Sequence, residues 1–422
     1  VNVLKRNAEE ISRRAGRAIE VSHASARDLS KPRICETGGI TLTTNPAEVV
    51  DAPEVDVVVE LIGGDGLALE MVMKAIENGK HVVTANKALL AVHGNELFAA
   101  AREHQVNIAF EAAVGGGIPL IRTLREGLVA NRIGHIYGIL NGTANYILTR
   151  MAREGTTFAD ALKEAQAQGI AEADPSLDVE GVDAAHKIAV LSSLAYCCEI
   201  DFNQVHIEGI SQIDPSDIQF AKDFGYQIKL LAISRNDGER IEVRVHPTMI
   251  PQEHMLAKVE GAYNAIHISG DAVGDVMLYG LGAGMMPTGS AVASDLVDLG
   301  RDLLAGSGVR IPPLACGGEA VMERQIKPMD ELVINYYFKF SAVDQPGVLS
   351  KISGILGNHD ISIASVIQKG RQVKGSVPVV MMTHEARERD VRLALAEIGD
   401  LQVVTAPTRL IRVENREAVD ED

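Results

Sequence analysis

Val55-Asp56-Val57-Val58-Val59-Glu60-Leu61-Ile62 is almost continuously apolar and stops at Gly63-Gly64. A strand with one wet face alternates apolar and polar residues. A strand covered on both faces does not, so this run reads as an interior strand of a parallel sheet. Outward from it the pattern repeats. Leu67 to Asn78 is helical, and His81 to Thr84 is a second β-run leading into Ala85-Asn86-Lys87. A further helix carries Glu96 to His104. Asn107 to Phe110 then leads to Glu111-Ala112-Ala113-Val114-Gly115-Gly116-Gly117. Upstream, Leu4, Ala8, Ile11 and Ala15 recur at helical spacing within Val1 to Ala18, and a short β-run from Ala18 to Ala24 precedes Arg27. Strands alternating with helices predict a Rossmann-type doubly wound parallel sheet. Ligands of such sheets bind beyond the carboxyl ends of the strands. Those ends are Arg27, Gly63-Gly64, Asn86-Lys87 and Glu111. A dinucleotide fold ordinarily opens with a strand and a G-x-G-x-x-G turn. Neither is visible ahead of the first helix, so the first strand and its Gly-rich loop are expected to be absent.

From Arg132 the pattern changes. Ile133 to Leu140 reads as a strand, followed by Asn141-Gly142-Thr143 and a helix over Tyr146 to Ala152. Ile241 to His246, Asn264 to Ser269 and Val276 to Tyr279 are strand-like, which predicts an α+β domain with a mixed sheet. A Gly-rich turn containing Gly282 precedes a helix over Ala291 to Leu304, and such a turn lets backbone approach a ligand closely. Ala305 to Ile326 is rich in Gly and Pro and reads as a linker. From Asn335 to Val413 the order is βαββαβ, a ferredoxin-like module. The predicted division is therefore a nucleotide-binding domain (1–131, with 288–315 as a candidate completion) and a catalytic and dimerisation domain (132–304). A linker (305–334), a regulatory module (335–413) and an acidic tail (414–422) follow.

Ala165 to Lys187, AQAQGIAEADPSLDVEGVDAAHK, is dense in carboxylates. Asp183 and Lys187 are four apart and share a helical face. On a surface such a pair contributes about 0.3–0.5 kcal/mol. Here Ala184, Ile188 and Leu191 form the apolar stripe, and the two charges lie within or beside it. Charges held there are either a structural ion pair or functional groups.

The 422 residues suggest about three domains. With 46% hydrophobic and 23% charged residues the composition is that of an ordinary globular protein. A net charge of -17 excludes unspecific nucleic-acid binding, which needs cations to neutralise phosphates. No apolar run reaches membrane-spanning length. Cys35, Cys197, Cys198 and Cys316 show no CxxC and no metal spacing. Adjacent Cys197 and Cys198 are poorly placed to bond each other, which favours reduced thiols and a cytoplasmic setting. No Zn or Mg constellation is visible.

Ala165-x-x-x-Gly169-Ile170-Ala171, with Asp174-Pro175, Asp178-Val179, Gly181, Asp183 and Lys187, resembles the homoserine dehydrogenase signature. Thr84-Ala85-Asn86-Lys87, Glu111-Ala112-Ala113-Val114 and Asn141-Gly142-Thr143 resemble that family in the same order. Asp344-x-Pro346-Gly347 within βαββαβ resembles an ACT domain, an amino-acid-sensing module. The resemblance spans essentially the whole chain; the Gly-rich opening is the departure. It implies reversible NAD(P)-dependent interconversion of L-aspartate 4-semialdehyde and L-homoserine, in threonine, methionine and isoleucine biosynthesis. It implies that Lys187 and Lys87 serve proton transfer and that Glu172 and Asp183 hold the substrate's amino and hydroxyl groups. Asp178 would orient the substrate and Thr143 would bind it. Arg27, Gly63, Asn86, Lys87, Gly169 and Gly282 are the cofactor-side candidates, and Arg27 favours NADP over NAD. A monovalent cation, Na or K, would sit on Glu111, Val114, Gly116 and Ile118, mostly through carbonyls. An effector such as L-threonine would meet Asp344, Gly347, Val348 and Ile361 across a dimer of modules. A homodimer or homotetramer follows from the same likeness. Two other readings compete: an amino-acid-sensing protein without cofactor binding, and an oxidoreductase for another small amino-acid aldehyde.

Overall fold

The structure is a computed structural model, and residues 1–317, 321–368 and 376–415 are described here. In the first domain His81–Thr84 is the middle strand. Val57–Glu60 pairs parallel on one side of it and Ile108–Ala109 on the other. Helices Gly66–Glu77 and Lys87–Glu103 cover this sheet with Val72, Ile76, Leu89 and Leu97, all fully buried. A second parallel pair, His23–Ser25 with Thr41–Thr43, forms its own two-stranded sheet. The single doubly wound sheet expected from the sequence is thus divided. Between the halves lies a cavity of about 730 Å³, lined by Ala24, Arg27, Val57, Val59, Leu61 and Leu296 among others. No described strand bridges it, so the edges His23–Ser25 and Val57–Glu60 face each other unjoined.

The expected helix over Val1 to Ala18 is two helices, Asn2–Arg6 and Ala8–Ala15, broken where Asn7 leaves helical geometry (φ -111, ψ 23). Helix Met285–Ala305 returns to this domain, where Leu296 and Leu299 pack on Val83 and Ala109.

The middle domain is an antiparallel sheet in the order Gly274–Leu281, Tyr263–Gly270, Ile133–Ile139, Tyr226–Asn236, Arg240–Pro251. Helix Val182–Tyr196 lies on one face, and Ser192 Oγ meets Ser234 Oγ at 2.7 Å. The third unit has strand order Val404–Val413, Val333–Val343, Ser376–Thr383, Ile363–Gln368, all antiparallel. That is the ferredoxin-like order 4-1-3-2. Its helices, Val348–Asn358 and Glu388–Gly399, close over Phe338, Phe340, Ile352 and Val391.

The second and third sheets are continuous. Strand Val404–Val413 pairs parallel with Arg240–Pro251 through Thr248↔Arg412 and Met249↔Val413. Buried charges stitch the seam. Arg412 bonds Glu388 at 2.6 Å and Glu208 at 2.8 Å, Arg244 bonds Glu414 at 3.1 Å, and Lys339 meets Asp217 at 2.7 Å. Glu414 therefore belongs to the core and not to a tail; of the expected acidic tail, residues 416–422 lie outside the described residues. The linker carries structure too. Met322–Glu323 pairs with Cys198–Glu199, and Gln325–Ile326 with the start of Arg240–Pro251. A disulfide joins Cys197 to Cys316 across a sequence separation of 119, contrary to the reading of free thiols. No helix of the described residues is long and apolar enough to cross a membrane.

Candidate active site

Asp183 sits in the first turn of helix Val182–Tyr196, and Lys187 one turn later. Both are buried. Lys187 Nζ donates to Asp183 Oδ2 at 2.7 Å and to the Leu140 carbonyl at 2.7 Å. From the other domain, Lys87 at the first position of helix Lys87–Glu103 places Nζ 2.8 Å from Asp183 Oδ1. One carboxylate therefore holds two ammonium groups drawn from two domains. The Lys87 side chain is 39% exposed and that of Lys187 10%. Burial alone pushes the Asp183 carboxyl up. The Lys187 and Lys87 charges outweigh it and hold that carboxyl well below the usual carboxylate range.

Asn141, part of the family-like Asn141-Gly142-Thr143 stretch but assigned no role from the sequence, is a central residue here. Its Oδ1 caps helix Gly142–Glu154 by accepting from Ala144 N–H. Its Nδ2 donates to Asp178 at 2.7 Å and to Asp183 at 2.8 Å. Burial and the neighbouring Asp183 charge raise the Asp178 carboxyl, although the Asn141 hydrogen bond opposes them. Asn264 also went unnoticed; its Nδ2 donates to the Leu140 carbonyl that Lys187 uses, at 3.0 Å. An N-cap position was the sequence signal available for Asn141. None existed for Asn264, whose partner is 124 positions away.

Thr143 is buried and donates to the Ile170 carbonyl at 3.1 Å, with its hydroxyl also against Asp178. Glu172, two residues beyond Ile170, is exposed, and its backbone carbonyl accepts from Gln166. Its carboxylate makes no described bond to the lysine cluster. Gly169 ends helix Phe158–Ala167 in the left-handed region (φ +69), with its N–H bonded back to Gln166. His186 stacks on Phe202 at 4.6 Å, as an ordinary helix residue would.

On the cofactor side, Glu60 accepts from Ile62 N–H, Gly63 N–H and Thr84 Oγ1, which fixes the turn after Val57–Glu60. Gly63 and Gly64 both have positive φ there. Asn86 caps the next helix through Leu89 N–H and donates to the Gly64 carbonyl at 2.6 Å, so Gly63, Asn86 and Lys87 share one strand-end rim. Arg27 is exposed at the wall of the cavity. Gly282 packs against Asn264 so closely that a Cβ would fall 2.1 Å from the Asn264 amide carbon. Its role in the structure is this close approach, and Asn264 and the Leu140 carbonyl stand between it and Lys187.

Glu111, Val114, Gly116 and Ile118 fall in one buried turn, joined to the Gly-rich loop by Gly117 N–H on the Leu281 carbonyl. Both Glu111 oxygens are already engaged, by Ile121 N–H and Arg122 N–H at 2.9 Å each, and burial raises its carboxyl. Asp344, Gly347 and Val348 meet at the start of helix Val348–Asn358, whereas Ile361 follows its end. Eleven residues of helix separate these by about 16 Å. Within one chain the four therefore form two places.

Residues 1–111 match the family described as "Homoserine dehydrogenase, NAD binding domain", residues 119–297 "Homoserine dehydrogenase" and residues 336–402 "ACT domain". The homoserine dehydrogenase of Pseudomonas aeruginosa is 50% identical over 414 residues, covering 98% of this chain and 95% of its own. That of Neisseria gonorrhoeae is 48% identical with the same coverage. Among solved structures, a homoserine dehydrogenase from Thiobacillus denitrificans superposes with a TM-score of 0.92 at 49% identity, covering 98% of this chain and 94% of that one. A hyperthermophilic archaeal homoserine dehydrogenase in complex with NADPH superposes at 0.54 and 29% identity, over 69% of this chain and 81% of that one.

Proposed function

The chain belongs to the homoserine dehydrogenase family, and from that premise we propose how its own residues carry the reaction. The activity is the NAD(P)-dependent interconversion of L-aspartate 4-semialdehyde and L-homoserine. The observation that carries the assignment of roles is the Lys87–Asp183–Lys187 cluster. Two ammonium groups against one carboxylate leave it net positive. When bound, the nicotinamide supplies or takes the hydride.

In the reducing direction the substrate's aldehyde oxygen gains negative charge, and a positive cluster stabilises that oxyanion. Lys187 spends two of its three donors on Asp183 and Leu140, so it is held in one place with one donor to spare. Lys87 is more open and stands on the cofactor rim beside Gly63 and Asn86. We assign proton delivery to Lys187 and Lys87, and to Asp183 the role of fixing both. Asp178, bridged to Asp183 by Asn141, and Thr143, whose hydroxyl stands against Asp178, serve as orienting groups. Glu172, with its carboxylate exposed nearby, meets the substrate's ammonium. In the oxidising direction the same groups run the step in reverse.

The finer parts of the proposal rest on separate supports. Arg27 on the cavity wall favours NADP, as does the NADPH bound by the archaeal relative. The Glu111–Ile118 turn is the seat for a monovalent cation through its carbonyls, since the Glu111 oxygens are shared with backbone N–H groups. Threonine is the proposed effector, between modules of two chains. That arrangement suits the separation of Val348 from Ile361. Edge strand Gly274–Leu281 exposes Tyr279 and Leu281, which supports a homodimer or homotetramer built on this domain. The domain limits proposed are those of the sequence, with Met285–Ala305 counted to the first domain. A cytoplasmic setting goes with the biosynthetic reaction; the Cys197–Cys316 pairing is the feature that argues the other way.

The test is steady-state homoserine oxidation with NADP by the full chain against Lys187→Ala. The expected loss is roughly 10²–10⁴-fold in kcat. Equal rates would overturn the assignment. A parallel NADPH titration separates this outcome from failed cofactor binding.

A further inference from the structure

His135, His267 and Asp275 stand on three neighbouring strands. In the register of the sheet His135 lies opposite Ser269, and Ser269 lies opposite Asp275. His267 is two positions from Ser269 on the central one of these strands. Directly paired residues share a face, and residues two apart on a strand share a face. All three side chains are therefore on one face by the geometry of the pleat. The structure agrees: one nitrogen from each imidazole and one Asp275 oxygen all lie within 4.8 Å of one another. The two rings are stacked, with centroids 5.7 Å apart, and His267 Nε2 is 3.5 Å from Asp275 Oδ2.

The protein does not use up these donors. His267 is more than nine-tenths buried, yet its Nδ1 has no hydrogen-bond partner among the described residues. The Asp275 contact is made by the other ring nitrogen, Nε2, at 3.5 Å. The nearest fixed cation, Arg235, is itself paired with Glu414 at 2.8 Å. Asp275 is exposed on the edge strand, so the cluster opens to solvent on one side only.

We propose that His135, His267 and Asp275 form a transition-metal site, fit for Zn²⁺, on the face of the middle sheet opposite helix Val182–Tyr196. Two imidazoles and one carboxylate are a borderline donor set, matched to Zn²⁺ and not to Mg²⁺ or Ca²⁺. Tetrahedral zinc with bonds of 2.0–2.2 Å sets its donors about 3.3 Å apart. His267 Nε2 and Asp275 Oδ2, 3.5 Å apart, already stand close to that spacing, and water serves as fourth ligand. Bound there, the ion clasps edge strand Gly274–Leu281 to Ile133–Ile139 across the strand between them. The proposal is independent of the roles assigned to the lysine cluster.

The experiment uses full-length protein stripped with a chelator, then titrated with Zn²⁺ by calorimetry and with Co²⁺ by visible absorption. One equivalent should bind per chain, with the d–d bands of tetrahedral cobalt. Asp275→Asn, at an exposed position, should fold normally and bind at least tenfold more weakly. His267→Ala should lose the cobalt bands. Saturating Zn²⁺ should raise Tm by about 2–4 °C in the parent and not in Asp275→Asn. Absence of stoichiometric binding, or binding unchanged in both Asp275→Asn and His135→Ala, would overturn the proposal.

Discussion

The middle domain is tied to its two neighbours in opposite ways. Toward the first domain the apolar packing of helix Lys87–Glu103 on helix Val182–Tyr196 is joined at the site by one charged contact, Lys87 reaching across to Asp183 at 2.8 Å from a side chain that is still partly exposed. Toward the ACT module it is a shared sheet, closed by backbone pairing at Thr248↔Arg412 and Met249↔Val413 and by the ion pairs Arg412–Glu208, Arg244–Glu414 and Lys339–Asp217. A polar, half-wet contact can exchange partners with an incoming substrate while the apolar packing behind it stays closed. A hydrogen-bonded seam holding Arg412 and Glu388 in the dry interior cannot part without stranding charge. The difference assigns the chemistry to the first joint and a fixed frame to the second.

Asp183→Asn is the strongest way to break the first tie. It removes the charge that both lysines share, and kcat for homoserine oxidation should fall about 10³-fold, equivalent to about 4 kcal/mol of transition-state stabilisation. Retention of more than a tenth of the activity would mean that the joint is not the reaction centre. The pH dependence has a definite sign. The carboxyl is depressed in the fold, so its contribution to stability is fully present above the unfolded value and is lost only as pH falls through the folded one. Near neutrality the Asp183 contribution should therefore be constant.

Arg412→Met probes the second tie. It leaves Glu388 and Glu208 without their cation, and stability to urea should drop by about 3 kcal/mol. At temperatures where the variant stays folded, kcat without effector should remain within about twofold of the parent. A variant with full stability would show the seam to be energetically idle, whereas one that is stable but slow would place the seam in the catalytic machinery.

Asp295→Asn gives the smallest effect. Burial and the Glu111 charge raise the Asp295 carboxyl to about 7. An acid raised on folding loses its proton first in the unfolded chain, so native stability falls as pH climbs from about 4 to about 7 and stays lower above that. Asparagine still accepts from Glu111 N–H and removes the charge. Thermal melts should show Asp295→Asn more stable than the parent at pH 8 and level with it at pH 4. Parallel pH profiles would sink this reading.

Local signals were readable in the sequence. The His81–Thr84 strand and helix Val348–Asn358 stand where periodicity put them, because each depends on its own neighbours in the chain. The apolar run is a strand too, but shorter (Val57–Glu60) and at a sheet edge with Val59 exposed, not covered on both faces as its composition predicted. The Asp183–Lys187 pair was visible for the same reason, being one helical turn. Lys87 joined that pair through family likeness and not through spacing. Asn264, the Cys197–Cys316 bond and the pairing of the two sheets were out of reach. Each depends on which residues meet after more than a hundred intervening positions. Tyr226–Asn236 was also unread, since its Lys229 and Arg235 interrupt the apolar pattern a strand would show. In the fold Lys229 is buried and donates to the Val259 carbonyl and Asn145.

The shared sheet has a consequence for how the chain is made. Arg244 and Glu414, partners in the seam, are 170 positions apart. During synthesis the strand Arg240–Pro251 must wait with part of its edge uncovered until the last strand emerges. Such long-range closures are slow, and an uncovered strand edge invites pairing with other chains. The step at which a nascent molecule is most exposed to aggregation is therefore the arrival of strand Val404–Val413, long after both lysines of the active site have been placed.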